Sequence, residues 1–272
     1  MARGPVRALG ATGAWLERAG RIIASNQRLL FFPVALQIAG ALLMLPVTLS
    51  SHGAVTFSVY ARDAADGDHR FSDLIRASST STATFVAMAL VVLGGALCAA
   101  WLAGAFIRSL GEGGVCWWPG ARAFLPLTVL YLVSGLLSIA IAVVATADAT
   151  AAAAWLGLLM VVVVSVPVMF ADYAIVLEER GLASGIVRSA RIWLRRPGQC
   201  LMALFAFLIA GQVVFELFVQ RIQDADGVFP GFFGAQLLVQ ALVAYVSDCV
   251  LIALLLETPD EPATALESER PE

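Results

Sequence analysis

The chain has 272 residues, of which 60% are hydrophobic and only 14% charged, with a formal net charge of −3. A soluble domain carries about 25% charged residues, so an ordinary water-soluble core is excluded. The lack of a basic excess excludes a nucleic-acid partner. All 17 basic side chains are arginine, a bias that, with abundant alanine, points to GC-rich bacterial coding.

In chain order, residues 6–25 are predicted as an amphipathic helix. Ala8, Ala11, Trp15, Ala19 and Ile22 form its apolar stripe, with Arg7, Arg18 and Arg21 off it. Six apolar segments follow, at about 29–49, 83–107, 123–146, 154–177, 199–219 and 235–256. The shortest has 21 residues, about 31 Å as a helix, enough to cross a hydrocarbon core of about 30 Å. Such segments must be helical, because an unpaired backbone group in lipid costs several kcal/mol. The first is too long for the apolar core of a cleaved signal and is expected to stay as an anchor. The expected fold class is therefore all-α, a polytopic membrane bundle of six transmembrane helices with two amphipathic helices on the cytoplasmic surface.

The loop after the first segment holds His52 and His69 with Asp63, Asp66 and Asp68. Clustered acids and histidine can hold a divalent ion. The spacing matches no calcium loop, however, and Asp-Gly-Asp also reads as a turn; a solvated loop with no metal is expected. In the second segment Gly94, Gly95, Ala99, Ala100 and Gly104 are small residues suited to close helix approach. "GEGGVCWWPG", residues 111–120, has no Lys-Ser/Thr and is no phosphate loop. Its Trp117 and Trp118 suit an interfacial aromatic belt. Cys98, Cys116, Cys200 and Cys249 have no metal-ligand or disulfide spacing; they read as small apolar residues, and no cofactor is expected.

After the fourth segment, 180–196 is predicted as the second amphipathic helix. Leu182, Ile186, Ala190, Trp193 and Leu194 fall on one stripe, and Arg188, Arg191 and Arg195 on the other. This places Trp193 at the membrane boundary and the arginines toward anionic lipid. "RAGRIIASNQRLLFFPVALQIAG" near the N-terminus echoes "RSARIWLRRPGQCLMALFAFLIAG", so a lipid-facing role extends to Arg18 and Arg21. Residues 258–272 are acidic and proline-bearing, and read as a disordered tail after a domain covering 1–257.

With the N-terminus inside, 13 of the 17 arginines fall on the cytoplasmic side. Both termini are accordingly expected in the cytoplasm, in a bacterial plasma membrane. Acids within spans are functional candidates, since one at mid-bilayer costs about 2.5–3.5 kcal/mol or more. Asp172, Asp248 and Glu216 qualify. Pro167 should kink the fourth span, so Asp172 and Asp248 are expected either to face one interior cavity or to pair with Arg108 or Arg122. Glu216 is expected to reach outer water or Arg221.

"DYAIVLEERGLASGIVRSARIWLRR" resembles a segment shared by uncharacterised bacterial six-helix integral membrane proteins. The same segment occurs in the membrane domain found with some glycerophosphodiester phosphodiesterases. Tyr173, Ala174, Ile175, Val176, Glu178, Gly181, Ser189 and Arg191 carry the likeness. It implies a six-helix domain without an assigned reaction, and phosphodiesterase activity is not carried over. No His-Glu-x-x-His or Gly-x-Ser-x-Gly occurs, so an enzyme is not expected. The expected role is a non-catalytic scaffold or accessory protein engaging membrane lipids, a membrane-protein partner or a second copy of itself. The alternative is a transporter or channel for a small solute, ion or lipid that uses Asp172 and Asp248.

Overall fold

The computed structural model describes residues 5–52, 56–65, 82–147, 168–224 and 230–258, and every regular element among them is helical. Helix α1 (Pro5–Ser25) is followed by a 3-10 turn, Gln27–Leu30, that runs straight into α2 (Phe31–His52). A short α3 (Phe57–Ala65) precedes α4 (Thr82–Glu112) and α5 (Ala121–Ala147). Next come α6 (Ala171–Leu177) and α7 (Leu182–Arg195). Helix α8 (Pro197–Val214) continues through a π-helical turn, Phe215–Val219, into α9 (Gln220–Asp224). Helix α10 is Pro230–Leu256.

Four helical rods are long and apolar enough to cross a membrane: Gln27–Ser50, Thr82–Glu112, Pro197–Ile222 and Pro230–Leu256. They match four of the six predicted segments. The third corresponds to α5, an apolar helix of 27 residues. Only 168–177 of the fourth predicted segment lies among the described residues. Pro167 and its expected kink fall outside them, as do Asp66, Asp68, His69 and 259–272.

The rods are apolar all round, and their outward faces stay open. In the most apolar stretch of each, 22–33% of the residues are buried within the protein. Leu42, Phe85, Leu90, Leu125, Phe205 and Ile209 all point outward. Soluble monomers rarely expose contiguous apolar patches beyond a few hundred Å². Lipid tails, by contrast, solvate leucine as well as another helix does.

Close packing is built from small residues. A Cβ on Gly94 would lie 3.0 Å from Leu43 Cδ2 of α2, and one on Gly104 would lie 2.7 Å from both Leu127 Cδ1 and Pro119 Cβ. Ala100 between them is fully buried. Gly95 has open space beside it, so only part of the expected small-residue stripe is used in packing. The main core gathers Phe170, Tyr173 and Ile175 of the α6 region with Ile107, Leu127, Ile252, Trp15 and Trp193. Helix α1 packs along α10, with Trp15 and Ala19 buried, and the Tyr245 hydroxyl donates to the Ile23 carbonyl at 3.2 Å. At the far end of the rods, the Tyr60 hydroxyl ties α3 to the Ala41 carbonyl at 2.7 Å.

Helix α7 folds back onto α6 at van der Waals contact. A Cβ on Gly185 would stand 2.9 Å from Ile175 Cγ1 and 3.1 Å from the Ala171 carbonyl oxygen. Gly185→Val should therefore destabilise the protein by about 1–3 kcal/mol through overpacking. Gly95→Ala should instead stabilise it by up to about 1 kcal/mol through helix propensity. Thermal unfolding of the detergent-purified variants checks both signs.

Candidate functional site

Four of the sequence-predicted residues, Asp172, Asp248, Arg108 and Arg122, lie at one end of the bundle, where α4, α5, α6, α7 and α10 meet. Helix α6 is only seven residues long, yet it carries the centre of the site. Its first turn is held by Ser189 of α7, whose buried hydroxyl accepts the Phe170 N–H at 3.1 Å. That contact requires the α6–α7 closeness that Gly185 permits. Asp172 and Tyr173 are consecutive and so point to different neighbours.

Tyr131 of α5 donates to Asp172 Oδ2 at 3.1 Å, and Asp172 Oδ1 accepts the Tyr173 N–H at 2.9 Å. The Tyr173 hydroxyl, at the far end of its fully buried ring, donates to Asp248 Oδ1 of α10 at 2.5 Å. One tyrosine residue thus connects both carboxyls, through its backbone to one and its hydroxyl to the other. Three helices are joined by oxygen and nitrogen contacts. The two aspartates are linked through Tyr173, and their side-chain partners are tyrosines. No ion pair links either of them to Arg108 or Arg122 among the described residues. Sequence reading missed Tyr131 and the hydrogen-bonding role of Tyr173, since a tyrosine in an apolar run looks like an ordinary core residue.

Below this lattice lies a group of ion pairs. Glu178, just past α6, accepts Arg188 Nε at 3.0 Å through Oε1 and Arg180 Nε at 2.5 Å through Oε2. The other arm of the Arg188 guanidinium, Nη2, donates to the Thr258 carbonyl. Arg196 does the same one residue earlier, with Nη2 donating to the Glu257 carbonyl at 2.6 Å and Nη1 to Glu257 Oε2 at 3.1 Å. The last carbonyls of a helix have no partner within it and carry the negative end of its dipole. Two arginines at the end of α10 satisfy both needs.

This corrects the expected lipid-facing role of Arg188 and Trp193. Arg188 is 1% exposed and Trp193 is 6% exposed, inside the main core with Trp15. The buried arc of α7 is centred on Gly185, Ser189 and Ile192, about a quarter turn from the stripe drawn through the large apolar residues at 3.6 residues per turn. Small residues win the centre because they allow contact with α6, and Arg188 is drawn inward by Glu178 and the end of α10. Leu194, placed on the apolar stripe, is 82% exposed instead. Arg191, Arg195 and Arg21 are exposed and Arg18 partly so. Glu216 sits exposed in the π-helical turn, accepting Gln212 Nε2 at 3.0 Å.

Arg108 pairs with Glu112 one turn along α4, Nε to Oε1 at 2.6 Å. Glu112 Oε2 also accepts the Cys116 thiol at 3.0 Å, which pushes that thiol up from its ordinary range. Arg108 and Arg122 both line a cavity of about 670 Å³ at this end of the bundle. Neither aspartate is among the residues lining it.

Arg188→Ala should cost about 1–3 kcal/mol, since it removes a buried guanidinium from a part-buried carboxylate and leaves a helix end short of a donor. Arg191→Ala on the exposed face should stay within about 0.5 kcal/mol of the parent. Equal melting shifts for the two would refute this assignment. In a double-mutant cycle, Tyr173→Phe and Asp248→Asn should couple by about 0.5–3 kcal/mol, the range for contacting residues.

No family model, curated protein or solved structure matches this chain.

Proposed function

We propose that this chain is a six-span protein of the bacterial plasma membrane with both termini in the cytoplasm. In this reading it acts as a non-catalytic scaffold or accessory protein engaging lipid or a membrane partner. The observation that carries it is the division of labour between surface and interior. The four apolar rods turn leucine, phenylalanine and isoleucine outward, while Asp172, Asp248 and Arg188 are bonded to other parts of the protein. Polar groups spent on joining helices serve architecture first. The 27-residue α5 and the apolar segment 154–177 supply the remaining two spans of the reading. The arginine count sets its orientation, with the Glu178 end at the cytosol. The exposed face of α7, Arg191 and Arg195 beside Val187 and Leu194, suits an anionic headgroup layer at that level.

A second reading, transport of a small solute or ion, draws on one specific observation. Tyr131, Asp172, Tyr173 and Asp248 put four exchangeable or proton-accepting groups in one connected set across α5, α6 and α10. Intramembrane carboxyls in such sets are proton-relay candidates.

Two measurements decide. A cysteine placed at His69 should react with a membrane-impermeant maleimide added outside intact cells, and one placed at Arg195 should react only after lysis; the reverse pattern overturns the topology. Proteoliposomes of the wild type should pass no protons above the empty-vesicle leak. Flux that vanishes in a folded Asp172→Asn variant would replace the scaffold reading with transport.

A further inference from the structure

The cavity of about 670 Å³ at the Glu178 end is bounded by Ile22 of α1, Arg108 and Glu112 of α4, residues 120–123 at the start of α5, Val176 of α6, Glu179 just past it, and Leu256 of α10. Its composition is divided. Ile22, Ile175, Val176, Leu177, Ile252 and Leu256 form an apolar wall, while Arg108, Arg122, Glu112 and Glu179 supply the charges. Two cations and two anions make a rim of zero formal charge.

Those four charges are not equally engaged. Arg108 uses Nε on Glu112, and its Nη1 lies beside Gly120: a Cβ built there would stand 3.0 Å from it. Gly120 has φ +101°, a backbone conformation that an L side chain adopts only under strain, so glycine serves both the turn and the closeness. Arg122 follows two residues later in the first turn of α5, with no hydrogen-bond or ion-pair partner among the described residues. Glu179 is held at φ 50°, in the left-handed region that non-glycine residues adopt uncommonly. It too has no hydrogen-bond partner among the described residues. One guanidinium and one carboxylate that line this cavity beside apolar side chains therefore have no hydrogen-bond partner among the described residues.

We propose that this cavity binds a zwitterionic amine-bearing phospholipid, its phosphate held by Arg122 and the free arm of Arg108 and its ammonium by Glu179. Its chains lie along Ile22, Val176 and Leu256. Arginine suits phosphate because its fork offers several donors at once, and the first turn of a helix adds unpaired N–H groups. The apolar wall selects an amphiphile over a free ion. The neutral rim selects a head of balanced charge over one of net negative charge. The inference rests on the membrane reading, which puts this end at the level of the headgroups.

The test uses the full chain, purified in detergent, stripped of lipid and examined by native mass spectrometry. Phosphatidylethanolamine, phosphatidylglycerol and phosphatidylcholine are added at equal concentration, with glycerophosphoethanolamine and inorganic phosphate as chainless probes. Phosphatidylethanolamine should be retained above the other two lipids, and the chainless probes should not be retained. Arg122→Gln should weaken retention by about tenfold, the loss expected for one charge-assisted hydrogen bond. Glu179→Gln should reverse the preference toward phosphatidylglycerol, while Arg221→Gln, exposed at the other end of the bundle, changes nothing. Equal retention of all three lipids, equal binding of the chainless probes, or indifference to both rim substitutions in a folded protein overturns the proposal. Failure of the membrane reading looks different: the stripped protein would then stay dispersed with no detergent, whatever it binds.

Discussion

A carboxyl group set among apolar helices must find its donor inside the protein, because lipid tails offer none and stripping it of water costs several kcal/mol. Much of the architecture at one end of this bundle follows from that need. Asp172 is met by Tyr131 and by the Tyr173 backbone, and Asp248 by the Tyr173 hydroxyl. Tyrosine suits the task because its ring packs as a hydrophobe while its tip donates. Meeting these demands fixes α5, α6 and α10 relative to one another at a depth where apolar packing alone discriminates weakly between neighbours.

The same need, applied to backbone, explains the arginines. A helix that ends at the edge of the bundle leaves carbonyls unsatisfied, and α10 ends at Leu256 with Glu257 and Thr258 beyond it. Arg188 in the middle of α7 and Arg196 at the junction of α7 with α8 both close on those carbonyls. Helix α7 therefore acts as a strap. It is bonded to α6 by Ser189 and Glu178 and to α10 by Arg188. Rotating it to expose Arg188 would strip donors from two other elements at once.

Four of the spans were legible in the sequence because twenty consecutive apolar residues have few other uses. Asp172 and Asp248 were legible as a site because an acid in such a run is conspicuous. Their partners were not, since a tyrosine in an apolar segment carries no mark of what its hydroxyl reaches. The orientation of α7 was misread for a related reason. Its periodic pattern contains both an apolar stripe and a basic one, and the rule that arginine faces water assumes that nothing inside offers it a carboxylate. The deciding residues, Gly185 and Ser189, are small and weigh little in a hydrophobic pattern. Tyr173, Glu178 and Ser189 make the three contacts on which this end depends.

Glu178 and Glu179 are neighbours with different fates, and the difference is one of backbone. Glu178 continues the ladder of α6, its N–H bonded to the Ala174 carbonyl at 3.2 Å, so its carboxylate turns toward Arg188. Glu179 adopts φ 50°, a left-handed conformation that costs a non-glycine residue about 1–2 kcal/mol. The turn persists because both flanks hold it: the Arg180 N–H also returns to Ala174 at 3.3 Å, and the Arg180 side chain reaches back to Glu178. The outcome is that one acid is turned into the ion-pair lattice and the next out onto the cavity rim. Had Glu179 stayed helical, it would have extended α6 toward the space that α7 needs for its return. The strained residue is thus the one acid of the pair that faces the cavity instead of the neighbouring helices.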